Sequence, residues 1–510
     1  MTVSLRALRL ALPFFAIAPA ILGAATAQAQ IKPALTCDVA SIGALKLTAD
    51  APVTIVDVST GTAGSGAASV PYCLVKVRIP AAINIWVGLP MDGKWNGRLQ
   101  SVGGGGYAGT IAAPAAAVAD GYVGIVTDTG HTGADGTFGM ASPGKANTPL
   151  WIDFAYRSEH LMAVVGKQLT QAFYSQPAKR AYWNGCSTGG RQGLMMAQRF
   201  PDDYDGILAG APAIHWERFQ AAQIWPQVAM LRDAGGPVAM NKLTAANKAA
   251  VAACDAQDGV TDGLLEDPRA CTFDAATLVC SASNNGETCL TAGEASAINK
   301  IWQGPSKHWY GLTRGSSMQM LAGPQPFMIS VAQPRYWVYL NPDWDWRTLD
   351  YANYPAFFKD SVKAVGPVMA TDNPNLDGFR KHGGKLVMWH GWSDPGIMPE
   401  GSVEYYDQVA KRSGGYEKTG DFARLFMAPG VGHCAGGDGP QPQGLFTAVV
   451  NWVEQGQKPE SVLASKALPD GATRTRPLCP YPKVAAWTGQ GSTDDAANFR
   501  CESPSGARRK

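Results

Sequence analysis

Charge is scarce in this chain. Of its 510 residues, 16% are Asp, Glu, Lys or Arg, and the two signs nearly cancel at a formal +2. A nucleic-acid binder usually concentrates basic residues on one face, and nothing here suggests one. Histidine is scarce too, at seven residues, so a histidine at a strand end carries weight. No repeat period and no long low-complexity tract is visible, which sets aside solenoids and fibrous arrays. Beyond the first thirty residues no apolar run is long enough to cross a bilayer, so no membrane partner is expected for the mature chain.

What is present is apolar and turn-rich. Hydrophobic residues make up 46% of the chain, with 58 Gly, 35 Pro and 15 Trp. That supports a large core under many loops. Residues 1–29 read as a signal peptide. Arg6 and Arg9 supply the positive start, Pro13 and Pro19 break a short apolar run, and Ala27–Ala29 offers a small-x-small cleavage site. The expected location is therefore secreted or periplasmic. In such a compartment the ten cysteines read as disulfides. Closeness along the chain suggests Cys37–Cys73, Cys254–Cys271, Cys280–Cys289 and Cys479–Cys501, leaving the distant pair Cys186 and Cys434.

Strand-like and helix-like stretches then alternate. "WNGRLQSVGGGGYAG" is a strand running into a glycine loop, and "RAYWNGCS", "YDGILAGAP", "GGKLVMWHGWSD" and "FARLFMAPGVGHC" are further strands separated by helical spacing. This rhythm predicts an α/β fold with a doubly wound, mostly parallel sheet. It is interrupted from about residue 214 to 373, where local cysteine pairs, Trp, Gly and Pro dominate. The organisation read from this is a catalytic domain of residues 30–213 and 374–510 with an inserted lid of residues 214–373.

Gly185, Ser187 and Gly189 form a G-x-S-x-G pattern between a strand and a helix. Small residues there allow the tight turn that lifts a nucleophilic serine above a sheet. A serine hydroxyl needs a base and a group that orients the base. The expected chain order is Ser, acid, His. Asp394 follows one late strand and His433 follows the next, so Ser187, Asp394 and His433 are the candidate catalytic residues. His131 breaks the order, and His390 reads as a supporting histidine. If Ser187 and His433 meet, their neighbours Cys186 and Cys434 must meet as well, which predicts a disulfide between the two catalytic loops. Thr188, next after the serine, is one expected oxyanion donor, and a glycine among Gly103–Gly106 supplies the other.

A second cluster lies in the insert. Asp255, Asp258 and Asp262 crowd one loop with Gly259 and Gly263. Oxygen-only ligands suit calcium, and the carbonyls of Val260 and Leu264 are placed to complete a shell. The EF-hand spacing is lacking, so the expected ion is structural Ca2+ in another kind of loop.

The stretches around these residues, together with "CDAQDGVTDGLLEDPRAC", "HGWSDPGI" and "RTRPLCPYPKVA", resemble the tannase and feruloyl esterase family of secreted serine hydrolases. That family includes the mono(2-hydroxyethyl) terephthalate hydrolase of polyester breakdown. The resemblance implies an α/β-hydrolase core with a large inserted lid. It also implies Ser187, Asp394 and His433 as triad, Gly106 and Thr188 as oxyanion donors, and calcium held by Asp255, Asp258, Val260, Asp262 and Leu264. The four local cysteine pairs and the Cys186–Cys434 bridge agree with it.

The expected substrate is a small ester of an aromatic acid, feruloyl or galloyl in type. A terephthalate monoester is the alternative, and a non-catalytic binding module on the same fold is the alternative of another class. Trp302, Trp309, Trp337, Trp344 and Trp346 are candidate aromatic contacts or lid core. Arg314 and Arg335 are candidates for a substrate carboxylate.

Overall fold

The N-terminal half of the sheet is built by period-two alternation. In β1 (Thr54–Ala63), β2 (Val70–Ile79) and β3 (Ile83–Pro90) the chain runs as antiparallel neighbours. Val75, Val77 and Ile79 face Val87, Ile85 and Ile83 across the β2–β3 ladder, and all six are buried. Lys76 and Arg78 take the alternate, outer positions, as the pleat requires. These observations come from a computed structural model that describes residues 31–305 and 307–504. The expected signal peptide lies outside the described residues.

The remaining six strands are parallel. They are β4 (Arg98–Val102), β5 (Val123–Thr127), β6 (Arg180–Cys186), β7 (Gly206–Gly210), β8 (Lys385–Gly391) and β9 (Ala423–Ala428). The nine-stranded order is β1-β2-β3-β5-β4-β6-β7-β8-β9. All residues of β7 and β9 are buried, the signature of strands covered on both faces. On one face lie α1 (Ser158–Tyr174), α2 (Thr188–Arg199) and α5 (Glu400–Ser413), whose Leu161, Leu169, Leu194, Met196, Tyr405 and Val409 join the main core. On the other, Val449, Val450 and Trp452 of α6 (Leu445–Gln455) pack on Tyr182, Val387 and Phe426. The sheet is thus mostly parallel, with an antiparallel edge that carries the alternating pattern.

The insert occupies the chain between β7 and β8. It holds short helices, among them α3 (Trp216–Ala222), and the longer α4 (Tyr354–Met369). Its core is aromatic: Trp216, Trp302, Trp309, Trp337, Trp346, Tyr354 and Phe357 are all buried there. Tyr107, Trp151 and Phe154, from the chain before the insert, belong to the same cluster. Trp337 stacks on Trp151 and Tyr107 with centroids 4.6 and 5.6 Å apart. The described residues from Ile31 onward form one compact unit. Of the five tryptophans weighed as aromatic contacts, Trp302, Trp309, Trp337 and Trp346 are buried core, and Trp344 stacks against Tyr339 and Phe357. Their apolar area holds the insert down on the sheet.

Candidate active site

Ser187 sits on the turn between β6 and α2 with φ 63° and ψ −125°. A side chain with positive φ costs energy and persists only where the surroundings impose it. They do so here through three backbone bonds. The Ser187 N–H donates to the Gly210 carbonyl at 2.9 Å, and the Ser187 carbonyl accepts from Ala213 and Arg191, each at 3.0 Å. The turn also needs glycine neighbours. A Cβ on Gly103 would fall 2.4 Å from Gly189 Cα, and one on Gly185 would meet Gly189 carbonyl atoms at 2.5 Å. The glycine loop after β4 therefore lies directly on the start of α2.

That loop is pinned by its first two amides. The Gly103 N–H donates to the Asn184 carbonyl and the Gly104 N–H to Gln192 Oε1. Gly106 has φ +56°, and its carbonyl accepts from Thr188 Oγ1 at 2.5 Å. Gly103 and Gly104 are thus engaged, while Gly106 is held beside Thr188, the first residue of α2. Gln192 is carried in turn by buried Glu159. Burial pushes the Glu159 carboxyl up to about 7, against the lowering effect of Arg191 and its hydrogen bonds. Sequence reading missed this Glu159–Gln192–Gly104 chain, because Glu159 is an ordinary-looking helix residue and carries no local signal.

Asp394 is fully buried on the loop after β8. Its Oδ1 accepts from the N–H groups of Gly396 and Ile397 at 2.8 and 2.9 Å. Its Oδ2 accepts from His433 Nδ1 at 2.6 Å and from His390 Nε2 at 3.0 Å. Burial alone would raise the carboxyl, but the His433 charge and the bonds from His390 and His433 prevail, and Asp394 is held well below the usual carboxylate range. Burial lowers His433, and the Asp394 charge and hydrogen bond outweigh it, so His433 is raised above its ordinary value.

His390 is fully buried and its Nδ1 accepts from Ser402 Oγ at 2.8 Å. The supporting role read from sequence is therefore a second hydrogen bond to the acid. His131 lies elsewhere, facing the Tyr107 and Thr129 carbonyls and stacked on Phe138.

Two further ties hold the parts together. The Cys186–Cys434 disulfide closes a span of 248 residues between the nucleophile turn and the base loop. The other four bridges are also formed: Cys37–Cys73, Cys254–Cys271, Cys280–Cys289 and Cys479–Cys501. The acid loop is gripped by the insert. Thr313 Oγ1 donates to the Trp392 carbonyl, Ser316 Oγ to the Ser393 and Asp394 carbonyls, and Gln223 Nε2 to the Gly396 carbonyl. Among the described residues no hydrogen bond joins Ser187 Oγ to His433; such bonds are often long without substrate.

The acidic loop holds the candidate calcium residues. Asp258, Val260, Asp262 and Leu264 line one cavity of about 20 Å³, room for a single small occupant. Glu266, which sequence reading passed over, lines it too. Asp255 does not line this cavity; its carboxylate accepts from the Asp262 and Gly263 N–H groups and braces the loop from behind. The three aspartates do not each bring an oxygen within 4.8 Å of the others, because loop amides draw Asp255 away and Arg476 pairs with Asp262. Burial, with Asp255 and Asp262 nearby, raises Asp258, and burial with Asp258 nearby pushes Glu266 up to about 8. Carboxyl groups in that state suit a divalent, oxygen-preferring ion. Of the two arginines considered for a substrate carboxylate, Arg314 donates to the Phe273 carbonyl over the Trp302 ring, and Arg335 donates to the Trp344 carbonyl. Both are engaged in holding the insert's backbone.

The family model "Tannase and feruloyl esterase" matches residues 72–333 and 326–502. The chain belongs to the tannase and feruloyl esterase family. This makes it a carboxylic ester hydrolase. It is 39% identical over 446 residues to a probable feruloyl esterase of Arthroderma benhamiae, covering 82% of each chain. Its structure is similar to that of feruloyl esterase B from Aspergillus oryzae, with TM-score 0.79, 30% identity, and 90% of this chain and 98% of that one covered. Tannin acyl hydrolase from Aspergillus niger shares the fold at TM-score 0.78 and 24% identity, over 89% of this chain and 92% of that one.

Two outcomes are expected. Replacing both Cys186 and Cys434 by alanine lowers thermal stability by up to about 5 kcal/mol on the chain-entropy view and cuts kcat by roughly tenfold or more by loosening the base loop. Removing the local Cys280–Cys289 pair leaves kcat unchanged. Equal kcat in both double variants would refute a positioning role.

The second concerns pH. His433 acts as base only when neutral, so kcat/KM falls on the acid side with a limb above about 6.5. Asp394→Asn moves that limb to lower pH and lowers kcat by roughly 10⁴-fold. In stability, raised His433 contributes below its unfolded value and loses this as pH rises through its folded value. Depressed Asp394 contributes above its unfolded value and loses this as pH falls. The pair is therefore most stabilising between about pH 4 and 6.5. Urea titrations of the wild type and Asp394→Asn across that window check the sign.

Proposed function

We propose that this protein is an exported serine esterase that cleaves feruloyl- or galloyl-type esters of aromatic acids through an acyl-enzyme. The observation that carries this reading is one junction. The strained Ser187 turn is joined by the Cys186–Cys434 bridge to the loop of His433, and His433 donates to buried Asp394. Ser187 Oγ attacks the ester carbonyl carbon while His433 Nε2 takes its proton. The Gly106 and Thr188 N–H groups stabilise the oxyanion. The tetrahedral adduct collapses, and His433 returns the proton to the departing alcohol oxygen. His433 then takes a proton from water, which attacks the acyl carbon; the second adduct collapses by breaking the bond to Ser187 Oγ, His433 returns the proton to Oγ, and the aromatic acid leaves. Asp394 keeps the imidazole oriented and offsets its positive charge throughout.

Family membership and the names of the relatives support the aromatic-acid class. Arg314 and Arg335 each spend donors on a backbone carbonyl of the insert, which weighs toward feruloyl or galloyl esters over a terephthalate monoester. Export is supported by five formed disulfides. Among the described residues no helix is long and apolar enough to cross a membrane. The loop of Asp255, Asp258, Val260, Asp262 and Leu264 is taken to hold structural Ca2+, with Glu266 beside it in the same cavity; the ion would stabilise the loop and take no part in ester chemistry.

Initial rates on methyl ferulate, methyl gallate and mono(2-hydroxyethyl) terephthalate, measured side by side, test the substrate class. The ferulate or gallate ester is expected to lead in kcat/KM, and Ser187→Ala to lower kcat by roughly 10⁴-fold or more. Uniformly negligible rates would remove the class. Failure of a serine-directed phosphonate to label folded protein at Ser187 would favour a binding module.

Chelation is expected to lower Tm, with recovery on adding Ca2+ but not in Asp258→Asn. An unchanged Tm in differential scanning calorimetry would rule out a stabilising ion.

A further inference from the structure

A second set of chemistry-bearing side chains lies where the insert leaves the sheet and where it returns. His215 and Glu217 stand at the start of α3, just after β7, and Asp372 follows α4 on the way to β8. His215 and Glu217 are each 2% exposed. One ligand atom from each of His215, Glu217 and Asp372 lies within 4.8 Å of the other two, a grouping found here alone among the described residues.

The hydrogen bonding is incomplete. Neither ring nitrogen of His215 has a hydrogen-bond partner, and neither has Glu217 Oε2. His215 Nδ1 stands 3.2 Å from Asp372 Oδ2 without hydrogen-bond geometry. Glu217 Oε1 is occupied by Arg218 Nε at 3.2 Å, which leaves Oε2 as the unpaired atom. Buried polar atoms without partners are costly and call for an explanation. The His215 ring is held from the side by Trp309, at 5.1 Å between centroids.

We propose that His215, Glu217 and Asp372 form a transition-metal site of the zinc class that clips together the two chain segments joining the insert to the sheet. One imidazole nitrogen and two carboxylates suit zinc, whereas calcium and magnesium favour oxygen alone. Two carboxylates with a neutral imidazole carry two negative charges, of which Arg218 at Glu217 Oε1 offsets one, and the remainder draws a cation. The Asp372 side chain is 34% exposed, so the ion has a way in and solvent has access to a fourth position. The site differs in chemistry and in chain segment from the acidic loop at Asp258.

The test uses the full mature protein, stripped with a chelator and then returned to saturating Ca2+. Zn2+ titrated by calorimetry is expected to bind at one ion per chain and raise Tm. Co2+ in its place is expected to give visible ligand-field bands. Asp372→Asn, at a partly exposed position, and His215→Gln are each expected to weaken Zn2+ binding by roughly 100-fold or more while leaving the Ca2+-dependent Tm shift intact. Circular dichroism verifies folding, and Asp372→Asn serves alone if His215→Gln does not fold. Zn2+ binding that persists unchanged in folded Asp372→Asn, or no Zn2+ binding to the wild type, overturns the proposal. So does Ca2+ displacing Zn2+ at equal concentration.

Discussion

A carboxylate in a fully buried position survives as an anion only if its lone pairs are all occupied by donors. Asp394 meets that condition with two backbone N–H groups and two imidazoles. The donors come from its own loop, from the strand before it and from the loop after β9. The position of His433 follows from this arrangement, because its Nδ1 must point at Oδ2, which turns Nε2 the other way. The orientation of the base is thus a consequence of satisfying a buried charge. Around it the fold adds redundant restraints. The β8–β9 register places Gly391 opposite Ala428, the Trp392 and Ser393 N–H groups donate to the Ala428 and Val431 carbonyls, and the disulfide ties the base loop to the serine turn.

The serine side of the site is organised by close backbone approach rather than by charge. Gly103, Gly185 and Gly189 meet where no side chain fits. Gln192, one turn into α2, converts that contact into a hydrogen bond to the glycine loop. The result is that the strained serine, the first turn of α2 and the glycine loop up to Gly106 are tied to one another by hydrogen bonds and close contact. Preorganised donors of this kind need no rearrangement when charge develops on a substrate oxygen.

Much of this was legible in the sequence for identifiable reasons. The core strands are either strictly alternating, like β2 and β3, or continuously apolar, like β7 and β9, and both patterns are local. The meeting of the Ser187 turn, His433 and Asp394 was legible because G-x-S-x-G, strand ends and chain order are all one-dimensional features, and because Cys186 adjoins Ser187 and Cys434 adjoins His433. What was not legible depends on contacts between distant segments. Glu159 supports the glycine loop from another helix. Glu266 joins the acidic cavity because the tail folds over it, with the Ala485 N–H donating to its Oε1. The insert tryptophans were ambiguous for a similar reason, since an aromatic residue looks the same in sequence whether it lines a pocket or fills a core.

The bonds from Thr313, Ser316 and Gln223 to the acid loop mean that the insert is more than a removable cover. Evolution or design that grafts a different insert onto this sheet to recognise a different ester changes two things at once. It exchanges the side chains beside the glycine loop, where Ile329 approaches Gly106, and it also replaces the scaffold on which the carboxylate rests. Chimaeras within the family will therefore trade selectivity against turnover unless the grafted segment brings equivalent donors for the carbonyls of residues 392, 393, 394 and 396.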